Sequence, residues 1–166
     1  MKLLRKIIVG MMFGFICHPS WAADGFDLLR EEKIGNLRID LPEKEVKKAI
    51  SCKEKRGADK LWGADEAYHQ EWAYADCGIT LDIVSDKKRG AKKIASISLF
   101  APSTLSTRRG IRIGSSMQEV MKAYKPYWNK EESDTHHFIA GSIYGGLIFS
   151  QEKQKVKSIF LGAAAE

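Results

Sequence analysis

The chain has 166 residues, with 27 basic against 21 acidic ones, a net charge of +6 and 44% hydrophobic residues. Three of the basic residues, Lys2, Arg5 and Lys6, belong to the first few positions, and without residues 1–22 the balance is 24 basic to 21 acidic, a net charge of +3. So mild a charge gives little support to a nucleic-acid or membrane-surface function, and the 144 residues that remain suit one compact domain or two small repeats sharing a core.

Residues 1–22 read as a signal peptide: a basic start, an apolar run over residues 7–17, then Ser20-Trp21-Ala22 with small residues where a signal peptidase reads. The run is short for a permanent anchor, and bulky Phe15 and Ile16 precede Cys17 where lipoprotein processing wants small residues. Cleavage after Ala22 and export to the periplasm are expected. Two cysteines, Cys52 and Cys77, then remain, and an even count in an oxidising compartment reads as one disulfide. A metal pair would need His or carboxylate partners at ligand spacing, which the chain does not offer.

Residues 23–34 form an N-terminal arm, polar and weakly periodic. From there the sequence says nearly the same thing twice. LRIDLPEKEVKKAI at 37–50 matches the segment at 111–124 at Arg38/Arg112, Ile39/Ile113, Glu45/Glu119, Val46/Val120, Lys48/Lys122 and Ala49/Ala123. Downstream, Gly78-Ile79-Thr80-Leu81 answers Gly146-Leu147-Ile148-Phe149, and KIASISL from Lys93 answers KVKSIFL from Lys155. Both members of the first pair read as helices. Asp40 and Glu43 have capping-box spacing in one; in the other Ser116 and Glu119 do, with Met117, Val120, Met121 and Tyr124 as its apolar stripe. Alternating runs over residues 67–74, 79–83 and 94–100, and again over 136–140, 147–149 and 156–161, read as two sets of three antiparallel strands. The expected fold is α+β: two tandem helix-plus-strand repeats, 35–101 and 110–166, joined by a Ser/Thr-rich linker at 102–109. They form one sheet with the helices on one side.

This order resembles the fold of the β-lactamase inhibitor proteins and of the small outer-membrane lipoproteins of the β-barrel assembly machine. Gly110, Gly114, Ser116, Glu119 and Val120 carry the resemblance, echoed by Gly35, Glu45 and Val46. The tandem layout is closer to the inhibitors, whose two units make one concave sheet that grips another protein. That similarity also implies a disulfide tying helix end to sheet. The chain departs from the pattern in having no cysteines in its second unit and no acylated cysteine.

No catalytic set stands out. Ser115 and Ser116 follow Gly114 but lack the flanking glycines of a nucleophile turn, and capping accounts for Ser116. His136 and His137 are adjacent and would point to opposite faces of a strand, although His69 and Asp134 leave a metal site imaginable. Asp65-Glu66 and Glu131-Glu132 read as solvated loop charges, Arg108-Arg109 as a solvated strand start or an anion clamp. The aromatics say more. Trp62, Tyr68, Trp72 and Tyr74 precede the first hairpin, and Tyr127 and Trp128, with His136, hold the matching interval of the second unit. Either they fill the core or they form one continuous partner-binding face, for which Tyr68, Gln70, Trp72 and Tyr74 on one side of a strand make an unusually polar surface. The leading reading is a non-enzymatic binder of another envelope or secreted protein, an inhibitor or immunity-type protein needing no cofactor. A scaffolding factor in envelope assembly is the alternative, and an enzyme or small-molecule carrier would need a deep pocket.

Overall fold

A computed structural model of the chain describes residues 25–164, so the signal-peptide reading lies outside the described residues. Three short helices, α1 (Gly25–Glu31), α2 (Glu43–Ala49) and α3 (Met117–Tyr124), accompany an eight-stranded antiparallel sheet. Its strands are β1 (Lys55–Arg56), β2 (Lys60–Leu61), β3 (Tyr68–Tyr74), β4 (Ile79–Ser85), β5 (Lys93–Leu99), β6 (His137–Ser142), β7 (Gly145–Glu152) and β8 (Lys155–Gly162). The order across the sheet is β1-β3-β4-β5-β8-β7-β6, with β2 beside β1 on the same edge of β3. Each hairpin run thus lies in sequence order from its own edge inward, and β5 meets β8 in the middle, with Ile97 opposite Leu161.

Burial alternates along the strands with the period of two that a pleated sheet imposes. Ile79, Leu81, Ile83 and Ser85 of β4 are buried while Thr80, Asp82 and Val84 between them are half-buried. In register with the apolar ones lie Trp72, Ile97, Leu99, Ile159, Leu161, Leu147 and Phe149, and all belong to one hydrophobic cluster. That cluster also takes in Leu28 of α1, Val46 of α2, and Val120 and Tyr124 of α3. Helix α1 packs against β6 and β7, and the residue after it ties it inward. Glu32, only 2% exposed, accepts a hydrogen bond from the Tyr124 hydroxyl at 2.9 Å and another from the backbone N–H of Arg108 at 2.7 Å.

The two helix starts are bound to the sheet in the same way. Asp40 N–H donates to Ile94 O, Ile94 N–H to Leu41 O, and Glu43 N–H to Lys92 O, at 2.9–3.1 Å. Gly114 N–H donates to Val156 O, Val156 N–H to Ser115 O, and Met117 N–H to Gln154 O, at 2.8–3.0 Å. The caps differ. Ser116 and Glu119 make the expected capping box on α3, whereas α2 starts at Pro42 without a side-chain cap. Asp40 instead sits at φ 60° and pairs with Lys93 at 2.7 Å, and the Glu43 carboxylate is drawn to Lys47 and Arg56. On α3, Val120 and Tyr124 are buried but Met121 is exposed, so the buried stripe is narrower than the periodicity implied.

Cys52 and Cys77 are joined as a disulfide, with their Cα atoms 6.2 Å apart, linking the segment after α2 to the 3₁₀ turn Ala75–Cys77 that follows β3. Gly78 closes that turn at φ 61°, where an added Cβ would meet the Phe100 carbonyl oxygen at 2.2 Å. Among the described residues no helix is long and apolar enough to cross a membrane.

Candidate functional site

The face carrying Tyr68, Gln70, Trp72 and Tyr74 is the core side of the sheet. Trp72 is 0% and Tyr74 1% exposed, which removes both from any partner-binding surface. Its polar character has an internal cause. Trp72 Nε1–H donates to Gln70 Oε1 at 2.8 Å, Gln70 Nε2–H to the Gly57 carbonyl at 2.9 Å, and the Tyr74 hydroxyl to Glu54 Oε2 at 2.9 Å. Burial, with the Glu54 carboxylate beside it, pushes the Tyr74 phenol well above its ordinary pKa. The polar tips of Gln70, Trp72 and Tyr74 are satisfied at the rim of the core, so Trp72 and Tyr74 can be buried without cost in unpaired donors.

The remaining residues of the expected surface do not form one face either. Tyr68 is half-buried at the start of β3, and Trp62 is 37% exposed on the β2–β3 connection. Tyr127 accepts a hydrogen bond from Arg109 at 3.0 Å, and Trp128 stacks on Phe138 with its Nε1–H on Ser133 Oγ. These two, with exposed His136, lie by β6 at the opposite edge from β3, five strand spacings or roughly 24 Å away. The expectation of one continuous surface fails because the strand runs β3-β4-β5 and β8-β7-β6 meet through β5 and β8, which places the two aromatic segments farthest apart.

The other face of β3 holds a more organised cluster. His69 is only 8% exposed. Its Nδ1 lies 2.7 Å from Asp82 Oδ2 on β4, and its Nε2 lies 2.9 Å from Asp65 Oδ2 on the β2–β3 connection. The Trp62 ring stacks on the imidazole, with centroids 4.1 Å apart and planes 13° from parallel. Local chemistry shapes this lid: Trp62 N–H bonds Ala67 O, and Asp65 Oδ1 accepts from Ala67 N–H in an aspartate turn. Burial favours the neutral imidazole, but hydrogen bonds to Asp65 and Asp82 outweigh it and raise the His69 pKa above the ordinary 6.5. The bond to His69 in turn holds the Asp65 carboxyl below its usual range.

Beside this cluster runs a groove of about 460 Å³, lined by Lys60, Glu71, Thr80, Asp82, Ser96 and Ser98 among others. With both ring nitrogens on carboxylates, His69 has none free to act as a general base toward a serine. Ser116 Oγ is spent on its capping box, and Ser115 Oγ accepts from Arg112 N–H. His136 and His137 both use Asp134 through their backbone N–H groups, and the Asp134 carboxyl falls to about 2, chiefly through the His137 ring. Arg108 and Arg109 are engaged with Glu31, Tyr127 and the Tyr124 ring. Among the described residues no group of three or more His, Cys, Asp or Glu is placed to hold a metal ion.

Asp82 and the serines of β5 had no place in the sequence reading, which set His69 with Asp134 only as an imaginable metal site; its partners are Asp65 and Asp82. The available signal was parity: His69 and Glu71, Thr80 and Asp82, Ser96 and Ser98 are polar residues at alternate positions of three successive strands. Comparison of the chain with protein families, with curated proteins and with solved structures gives no match.

Proposed function

We propose that this protein is an exported, non-enzymatic protein-binding module of the periplasm, an inhibitor or immunity-type protein, and that it grips its partner with the half-exposed face of its sheet. On this reading residues 35–101 and 110–166 are tandem repeats whose helices share the core side and leave the other face free. The paired hydrogen bonds at the two helix starts support the repeat, since Asp40, Leu41 and Glu43 stand to Lys92 and Ile94 as Gly114, Ser115 and Met117 stand to Gln154 and Val156. The disulfide and the export-type leader agree with an oxidising compartment.

The observation that carries the reading is that, among the described residues, both sheet edges are closed while one face is left uncovered. The outer edge of β3 is taken by β1 and β2, short strands bearing Lys55, Arg56 and Lys60. On β6, Asn129 N–H bonds Ile139 O, Asn129 Nδ2–H bonds Gly141 O, and Ile139 N–H bonds Ser133 Oγ. Blocked edges disfavour strand addition, so a partner meets side chains rather than backbone. Thr80, Asp82, Ser96, Ser98, Ser158, Phe160, Ile148 and Ser150 run half-buried across β4, β5, β8 and β7, a surface drawn from both units.

Site-specific photo-crosslinking in periplasm tests this. A crosslinker at Ser98 or Ser158 should capture one discrete exported protein, and Ser98→Arg should abolish capture from Ser158. Capture from Lys47 on α2 alone, or capture indifferent to Ser98→Arg, overturns the assignment. A captured component of outer-membrane assembly would put the scaffolding reading in place of the inhibitor.

A further inference from the structure

The geometry around His69 points to a proton-operated latch: we propose that the imidazolium ties the β2–β3 connection down over the groove and that loss of its proton releases the Asp65 end. This is regulation of the surface assigned above, and it rests on that reading only for its consequence for binding.

Two carboxylates at 2.7 and 2.9 Å, one on each ring nitrogen, are satisfied together only when both nitrogens carry hydrogen. A neutral imidazole keeps one N–H, so one carboxylate must then face a lone pair at hydrogen-bond distance. Asp82 holds the shorter bond, sits inside the sheet on β4, and has the less exposed side chain of the two. Asp65 is on the exposed connection and is the partner that lets go. Its release also loosens the turn it forms with Ala67, and the Trp62 ring loses the added attraction of a cation beneath it.

The other charges around the ring do not replace the proton. Glu71 is two residues along on the same face of β3, and Lys60 of β2 is in register with His69. Across β4, Lys93 of β5 stands beside Val84 in the ladder but is paired with Asp40. His69 titrates above the ordinary histidine value, because its two hydrogen bonds outweigh the burial that favours the neutral ring. A pKa raised in the folded state means that the stabilisation is fully present below about 6.5 and disappears as pH rises through the folded value. The latch is therefore closed below about pH 6.5 and opens only as pH rises through the raised folded-state value of His69.

Nitrogen NMR of the free, uniformly labelled protein tests the latch without any partner. The His69 ring, assigned by its loss in His69→Gln, should be imidazolium at pH 6 and titrate with a midpoint above the ordinary histidine value of about 6.5. Amide protection over residues 62–67, corrected for intrinsic exchange, should fall by about tenfold across the same midpoint, as expected for losing one charge-assisted hydrogen bond. Buried β4 and β5 amides should not follow it. In Asp65→Asn, a change at an exposed position, the midpoint should drop and the connection should be loose already at pH 6. A neutral single tautomer at pH 6, or a titration that leaves residues 62–67 unchanged, overturns the latch whatever becomes of the binding face.

Discussion

The guanidinium carbon of Arg56 lies 3.7 Å from the centroid of the Trp72 ring. Arg56 roofs a tryptophan that would otherwise reach the edge of the sheet, and it is held there by Glu54 at 2.7 Å and Glu43 at 3.1 Å. A cation over an indole face, with its charge paired outward, lets the ring stay in the core while the arginine head remains in water. Trp72 is thus a packing residue, whereas Trp62 is 37% exposed.

Truncating these two residues should therefore give opposite results. Trp72→Ala should cost about 3–5 kcal/mol of stability, the range for deleting a buried aromatic, as read by urea unfolding. Trp62→Ala should change stability by less than about 1 kcal/mol, typical of a half-exposed site, yet weaken partner capture. Equal losses of stability would return Trp62 to the core.

The disulfide closes a loop of 25 residues, for which loop-closure entropy predicts about 3–4 kcal/mol. Cys52→Ser/Cys77→Ser should lower the denaturant midpoint accordingly. Intact mass of the purified native protein should be two hydrogens below the fully reduced form. Two free thiols by titration of that protein would contradict the pairing.

Val46 and Val120 are both fully buried, each on its own helix. Val46→Asp and Val120→Asp should each remove cooperative thermal unfolding near neutral pH, because a carboxylate there has no partner and must be desolvated or neutralised. Equal severity is the expectation if the two helices do the same structural work. An unchanged melting temperature for either would break the correspondence at that position.

Acid should weaken the Arg56 roof. For Glu43 the Lys47 contact chiefly lowers the pKa; for Glu54 burial works against the shift but the bonds from Arg56 and Tyr74 prevail. With folded-state values depressed below 4.5, their stabilisation is present above that pH and is lost as pH falls through the folded values. Melting temperature should drop as pH falls below about 4.5, and Glu54→Gln should flatten that part of the curve while lowering the plateau above it. A curve identical to the parent's would remove Glu54 from the acid response.

The existence and order of the six long strands, the capped helix from Met117 and the Cys52–Cys77 pairing could all be read from the sequence, because they rest on local periods, a capping box and a cysteine count. So could the side on which Tyr68, Gln70, Trp72 and Tyr74 stand, since alternation is a property of one strand. Which side faces inward could not be read, because the hydrogen bonds that satisfy Trp72 and Tyr74 come from Gln70 and from Glu54, twenty residues before the tyrosine. Asp40 belongs to the same class: its spacing from Glu43 suggests a cap, but Lys93, distant in the chain, claims it. The meeting of β5 with β8 separated the two aromatic segments that tandem order alone would have joined. The His69 cluster likewise exists only in three dimensions. It needs β3 and β4 in register to deliver Asp82, and a turn of the connection to bring Asp65 over the ring.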